Sequence, residues 1–209
     1  MQLGVRFPKQ IDGIWLPEDE EALLKYAGIE WKYQWHKVNA ALKHVKKFEL
    51  AIDIGAHVGL ISRLLVQKFE YVIAYEALEE HVECFKRNVP EAKIRHCALG
   101  AKKDLVGIHR VDGKSACSWI EPGGILVQNT LDDSVLSPDF IKVDCEGYEA
   151  FVLLGAKETL ERARPVVMVE QKPGNAERYG LGETDAVSYL CSLGATLREE
   201  IDGDYILSW

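Results

Sequence analysis

No run of apolar residues in this 209-residue chain approaches the ~18 that a membrane span needs. Met1–Gln10 also lacks the charged-then-apolar pattern of a secretory leader, so the expectation is a cytoplasmic protein with no membrane contact. Cysteine is sparse: Cys84, Cys97, Cys117, Cys145 and Cys191 are odd in number and form no Cys-x-x-Cys pair. That spacing argues against a disulfide framework and a zinc knuckle, and suits small buried hydrophobes in a reducing compartment. Positive charge is short as well. The 25 Lys and Arg against 33 Asp and Glu give a net charge of −8, which disfavours nucleic acid as a partner of the domain as a whole. Internal repeats, low-complexity tracts and linkers are missing too.

What is present is an ordinary globular composition, 47% hydrophobic, in a chain long enough for one full core. Pro17–Ala27 has the proline and acidic residues that suit a short helix start. Glu30–Lys47 is locally basic, with Trp31, Trp35, Val38, Leu42 and Val45 at helical spacing. It reads as an amphipathic helix with Lys32, Lys37, Lys43, Lys46 and Lys47 on a solvated face, and His36 and His44 within it. Residues 1–48 are therefore expected to be an N-terminal helical extension, a candidate substrate cover, ahead of one catalytic domain at 49–209.

Beyond it, strand and helix patterns alternate. Strands are expected at Glu49–Ile54, Tyr71–Tyr75, Lys93–Ala98, Phe140–Asp144 and Pro165–Glu170, and helices at Leu60–Lys68, Glu79–Asn88, Ala150–Ala163 and Thr184–Leu193. Leu105–Val127, rich in glycine, is expected to give short strands and a loop that covers a ligand. The apolar run Val166–Val169 belongs to a strand covered on both faces. Ala195–Glu200 and Tyr205–Trp209 flank the hairpin signal Asp202-Gly203. The sum is a doubly wound α/β domain: a mostly parallel, seven-stranded, Rossmann-like sheet with a C-terminal antiparallel hairpin strand.

Asp53-Ile54-Gly55-Ala56-His57-Val58-Gly59 falls at a strand-to-helix junction. Gly55 permits a tight turn and close ligand approach, and Gly59 permits close packing as the helix starts. A dinucleotide site would need a glycine where Asp53 stands, with helix-end amides around a pyrophosphate. A carboxylate suits instead the sulfonium and ammonium of S-adenosylmethionine (SAM). Glu76, at the end of the next strand, is placed to accept both ribose hydroxyls, and Cys97-Ala98-Leu99 to meet adenine.

These residues, with Thr130-Leu131-Asp132-Asp133 and the stretch Phe140-Ile141-Lys142-Val143-Asp144-Cys145-Glu146-Gly147-Tyr148-Glu149, resemble the FkbM-type methyltransferase family over about Ala51 to Gln171. The resemblance implies a Rossmann-like, SAM-dependent enzyme that methylates hydroxyl oxygens of small molecules or sugars. It implies Asp53, Gly55, Glu76 and Ala98 as cofactor contacts, and Asp144 where cofactor and acceptor meet. His57 stands where Asn is common in the family, and Glu76-Ala77 replaces Glu-Pro. The cofactor set is then Asp53, Gly55, Ala56, His57, Gly59, Glu76, Ala77, Ala98, Leu99 and Asp144.

For a hydroxyl acceptor a proton must be removed. Asp144, Glu146 and Glu170 are the candidates, with Glu149 in reserve. A divalent-metal site and helix capping are the other readings of this cluster. Trp119 and Ser115–Ser118 lie where an aromatic could cover a ligand; His96 and His109 read as ordinary strand residues. Lys142, Asp144, Glu170 and Lys172 also invite comparison with the Lys-Asp-Lys-Glu set of RNA ribose methyltransferases. The open alternatives are N-methylation, RNA ribose methylation and a non-catalytic SAM-binding partner subunit.

Overall fold

A computed structural model describes residues 8–209. It opens on a hairpin, β1 (Lys9–Ile11) and β2 (Ile14–Leu16), turned by Asp12 and Gly13 at φ 45° and 81°. Both values lie in the left-handed region that a two-residue Asp-Gly turn uses. A 3₁₀ segment, Leu24–Ile29, and helix α1 (Trp35–Leu42) follow. The alternation then starts: β3 (Leu50–Ile54), α2 (Ser62–Leu65), β4 (Tyr71–Glu76), α3 (Glu79–Asn88) and β5 (Lys93–His96). The chain next detours through β6 (Ala98–Leu99), β7 (Asp104–His109), β8 (Trp119–Pro122) and β9 (Leu126–Asn129). It returns as β10 (Phe140–Val143), α4 (Glu149–Leu154), α5 (Lys157–Ala163), β11 (Val166–Glu170), α6 (Asp185–Ser192), β12 (Thr196–Ile201) and β13 (Asp204–Ser208).

Seven strands make one sheet in the order β12-β13-β11-β10-β3-β4-β5. The five from β11 to β5 run parallel, and β13 is antiparallel to both of its neighbours. This is the doubly wound sheet with a terminal hairpin that the sequence pattern implies. Every residue of β10 and β11 is buried, as strands covered on both faces require. The detour forms a second sheet, β6-β9-β7-β8, so Leu105–Val127 is more ordered than short strands around a loop.

Three expected helices are shorter. The one expected over Leu60–Lys68 keeps only Ser62–Leu65 as α2. The basic helix spans only Trp35–Leu42, and Lys37 is not solvated. Its Nζ is buried 2.6 Å from Asp204 Oδ2 and donates to the Asp202 carbonyl at 3.1 Å, tying α1 to the terminal hairpin. The helix expected over Ala150–Ala163 is broken between α4 and α5. Gly155 lies there against the backbone of Gly100, where a Cβ would overlap, and its carbonyl accepts the Asp132 N–H at 3.1 Å.

Candidate functional site

From β5 the chain crosses over to β10 on the other side of β3, so the sheet reverses its winding between β3 and β10. Doubly wound sheets bind ligands in the crevice at such a reversal, at the carboxyl ends of the strands. A cavity opens there. Ile54–His57, Glu76–Leu78, Cys97–Leu99 and Asp144–Glu146 form its walls, with Lys142 beneath. Leu23 and Tyr33 from the N-terminal segment and Ser115, Trp119 and Ile120 from the detour cover it.

Gly55 (φ +74°) turns the chain at the end of β3, and a Cβ there would overlap the carbonyl oxygen of Asp144. The glycine thus brings the β3 and β10 loops together, and the wall continues through Ala56 and His57, itself left-handed at φ 51°. Gly59 is not on the wall. It sits against Phe85 and Val89 and lets α3 pack on the loop.

Asp53 requires the larger correction. It is fully buried below the floor, where Ser62 Oγ donates to its Oδ2 at 2.6 Å and Lys142 Nζ stands 3.9 Å from its Oδ1. Burial raises its pKa, with Lys142 pulling it back. Its charge is therefore turned toward Lys142 and not toward a sulfonium in the cavity.

Glu76 does line the cavity, 8% exposed. Its Oε2 accepts the His57 N–H at 2.8 Å, and its Oε1 accepts the N–H groups of Ala77 and Leu78 at 2.8 and 2.9 Å. Burial pushes its pKa up, but His81 and the Leu78 N–H outweigh that and hold it at about 2. Ala77, Ala98 and Leu99 are on the same wall. Trp119 faces them, its ring stacked on His109 at 4.0 Å and under the Arg178 guanidinium at 4.3 Å.

At the other end, one carboxylate oxygen each from Asp144, Glu146 and Glu170 lie within 4.8 Å of one another. Lys142 Nζ donates to Asp144 at 3.1 Å, and Lys172 Nζ stands 2.7 Å from Glu170. Burial and the charge of Asp144 raise the pKa of Glu170; burial opposes ionisation of Asp144, but Lys142 and the hydrogen bond with Glu170 hold it low. The two carboxyls are thus pushed apart, Glu170 upward and Asp144 downward. Glu170 is behind the wall, whereas Asp144 and Glu146 are on it. Glu146 adopts φ 54°, accepts from Asn175 Nδ2 at 2.9 Å, and has its pKa raised by burial and by Asp144. Left-handed backbone at a non-glycine residue is strained and collects at functional sites. Glu149 braces the loop instead, its Oε1 accepting from Cys145 and Gly147, and burial lifts its pKa to about 7.

Several wall residues had no sequence signal. Tyr33 belongs to the N-terminal segment, and burial and the nearby Asp144 raise the pKa of its hydroxyl. His81 is 2% exposed on α3, and its Nε2 is 2.9 Å from Ser115 Oγ, which donates to Glu20 Oε2 at 2.7 Å. These contacts join residues far apart in the chain, which no spacing rule connects.

Residues 127–197 match the family model of the methyltransferase FkbM domain. That stretch contains Thr130–Asp133 and Phe140–Glu149, and over it the chain is similar to the methyltransferase FkbM domain. The methyltransferase FkbM from Methylobacillus flagellatus KT superposes with a TM-score of 0.54 at 20% identity, over 77% of this chain and 43% of that one. The chain thus spans less than half the length of that relative. A ribosomal protein L11 methylase from Lactobacillus delbrueckii subsp. bulgaricus gives 0.51 at 9% identity, over 82% of this chain and 74% of that one. A precorrin-6y C5,15-methyltransferase from Geobacter metallireducens GS-15 gives 0.50 at 13% identity, over 82% and 86%. Curated proteins gave no match. The neighbours share the Rossmann-like fold and, by their names, act on different acceptors. Among the described residues no helix is long and apolar enough to cross a membrane.

Proposed function

We propose that the chain is a SAM-dependent methyltransferase acting on a hydroxyl of a sugar, glycan or small metabolite. One observation carries this: a single cavity at the sheet reversal has an ionised Glu76 beside an apolar wall at one end and acidic side chains at the other. The donor set fits the cofactor. Glu76 suits a ribose diol, Ala98, Leu99 and Trp119 suit a purine, and Asp144 suits a cationic group. Lys142, which lines the cavity, is already paired with Asp144, and Asp144 and Glu146 beside the Gly55 loop would repel a pyrophosphate, which disfavours a dinucleotide.

Bound SAM supplies a methyl group on a positively charged leaving group. This chain's residues hold and orient the partners. Glu146 is the proton acceptor in this reading: it faces the cavity, and its raised pKa makes it a better base than Asp144. Asp144, held ionised by Lys142, orients cofactor or acceptor, and Glu170 holds Asp144 through the hydrogen bond between them. The carboxylate cluster could also attract a divalent cation, but Lys142 and Lys172 already neutralise it, so the base is favoured over a metal. Residues 49–209 form the catalytic domain, and the extension 1–48 contributes Leu23 and Tyr33 to the cover over the acceptor. Free cysteines suit a cytoplasmic setting.

The Lys142–Asp144 and Glu170–Lys172 pairs do converge, which keeps RNA ribose methylation as a second reading. Calorimetry with SAM, S-adenosylhomocysteine and NAD tests the cofactor: the first two bind, and NAD binding without SAM overturns the reading. Labelled SAM offered with sugars, small metabolites, nucleosides and RNA then separates the acceptors.

A further inference from the structure

Four buried side chains form one continuous file across the cavity wall, each from a different part of the chain. Glu20 comes from the N-terminal segment, Ser115 from the link between β7 and β8, His81 from α3 and Glu76 from the end of β4. All four are under a tenth exposed. Ser115 Oγ gives its hydrogen to Glu20 Oε2 at 2.7 Å and lies 2.9 Å from His81 Nε2. On the far side, His81 Nδ1 stands 3.4 Å from Glu76 Oε1.

The protons in this file can be counted. A serine hydroxyl has one hydrogen, and here it goes to Glu20. His81 Nε2 must therefore donate to Ser115. Nδ1 faces the Glu76 carboxylate, whose two oxygens accept three backbone N–H groups, as an acceptor-only group does. A lone pair on Nδ1 would meet negative charge; a second proton turns that contact into an attraction. The other charged or titratable neighbours do not supply it. His57 meets the His81 ring edge-on at 4.0 Å, and burial holds its pKa well below the ordinary value. Glu80 is engaged by Arg110 Nε at 2.6 Å.

We propose that His81 is an imidazolium clip and a positioning residue: it holds Glu76 ready for the two ribose hydroxyls and, through Ser115 and Glu20, fastens the cavity's cover to that same carboxylate. The inference rests on the reading of the cavity as a SAM site. It makes the cover and the ribose seat one network. Losing the clip therefore loosens both.

Three measurements test this. Nitrogen NMR of 15N-histidine-labelled protein at neutral pH shows both His81 ring nitrogens protonated; a single neutral tautomer overturns the proposal, whatever binds. His81→Gln keeps a donor toward Ser115 but no charge toward Glu76. Its affinity for S-adenosylhomocysteine falls about 10- to 150-fold, the range for a hydrogen bond to a charged group. Binding of the 2′-deoxy analogue, which cannot use Glu76 fully, falls much less; equal losses for both ligands mark a merely structural role and overturn the proposal. Ser115→Ala cuts the file on the cover side, so it keeps the preference for the ribose ligand and speeds amide exchange at residues 17–23. Unchanged exchange there removes the link to the cover. If the wild type binds neither ligand, the cofactor reading fails, and the nitrogen spectrum and the Ser115→Ala exchange still decide the clip.

Discussion

Gly55 and Glu76 show how far single residues carry the site. Gly55→Ala combines left-handed backbone, which disfavours a side chain by about 1–3 kcal/mol, with overlap on the Asp144 carbonyl. Urea unfolding of this variant is expected at a clearly lower midpoint, or the variant fails to fold. Glu76→Gln should weaken S-adenosylhomocysteine binding by about 10- to 150-fold in calorimetry. It should also change the response to acid. The pKa of Glu76 falls from the ordinary 4.5 to about 2, so between these values the folded state binds fewer protons than the unfolded one. Its contribution to stability is full above pH 4.5 and is lost as the pH falls toward about 2. The wild type should lose stability across that window, and Glu76→Gln should lose less. At this scale the sequence was half legible. Glu76 was singled out by its strand end, Asp144 by the family resemblance as well, and both line the cavity. The burial of Asp53 behind the wall was not legible, because its partner Lys142 stands on a neighbouring strand, invisible to any local pattern.

Elements were more legible than the contacts between them. The Asp202-Gly203 turn and its flanking strands were evident, because that turn type demands those residues. The same Asp-Gly signal at Asp12-Gly13 went unread, because its strands have only three residues each and no alternation to mark them. Helix α1 was expected from its apolar stripe, but nothing local shows that Lys37 meets Asp204 across the molecule. Breaking a buried pair by removing one partner typically costs about 3–5 kcal/mol. Lys37→Ala is therefore expected to destabilise the fold by about that much in chemical denaturation. Replacing both partners by apolar residues, Lys37→Met with Asp204→Leu, should recover most of the loss. The Gly155 break was equally unreadable, since one glycine within a helical pattern is usually tolerated.

Over the whole molecule, the N-terminal segment is held down by charge as well as by packing. Arg110 is the centre of this hold: its guanidinium reaches Asp19 at 2.8 Å and Glu80 at 2.6 Å, and also pairs with Asp112. Arg110→Ala should raise amide exchange at residues 17–23 and 110–118 while the seven-stranded sheet exchanges as before; uniform exchange changes would show that the cover is not a separable unit. The sheet reversal has its own consequence for how such a molecule can diversify. Ala51 and Phe140 are neighbours in space, yet the whole detour through the smaller sheet separates them along the chain. Lengthening a loop that already closes adds only about 0.6 kcal/mol for each doubling. Insertions within residues 100–139 can therefore reshape the Trp119 side of the cavity while β3 to β5 keep the Glu76 half unchanged. The detour is the stretch in which the cover of the cavity can change without rebuilding the Glu76 wall.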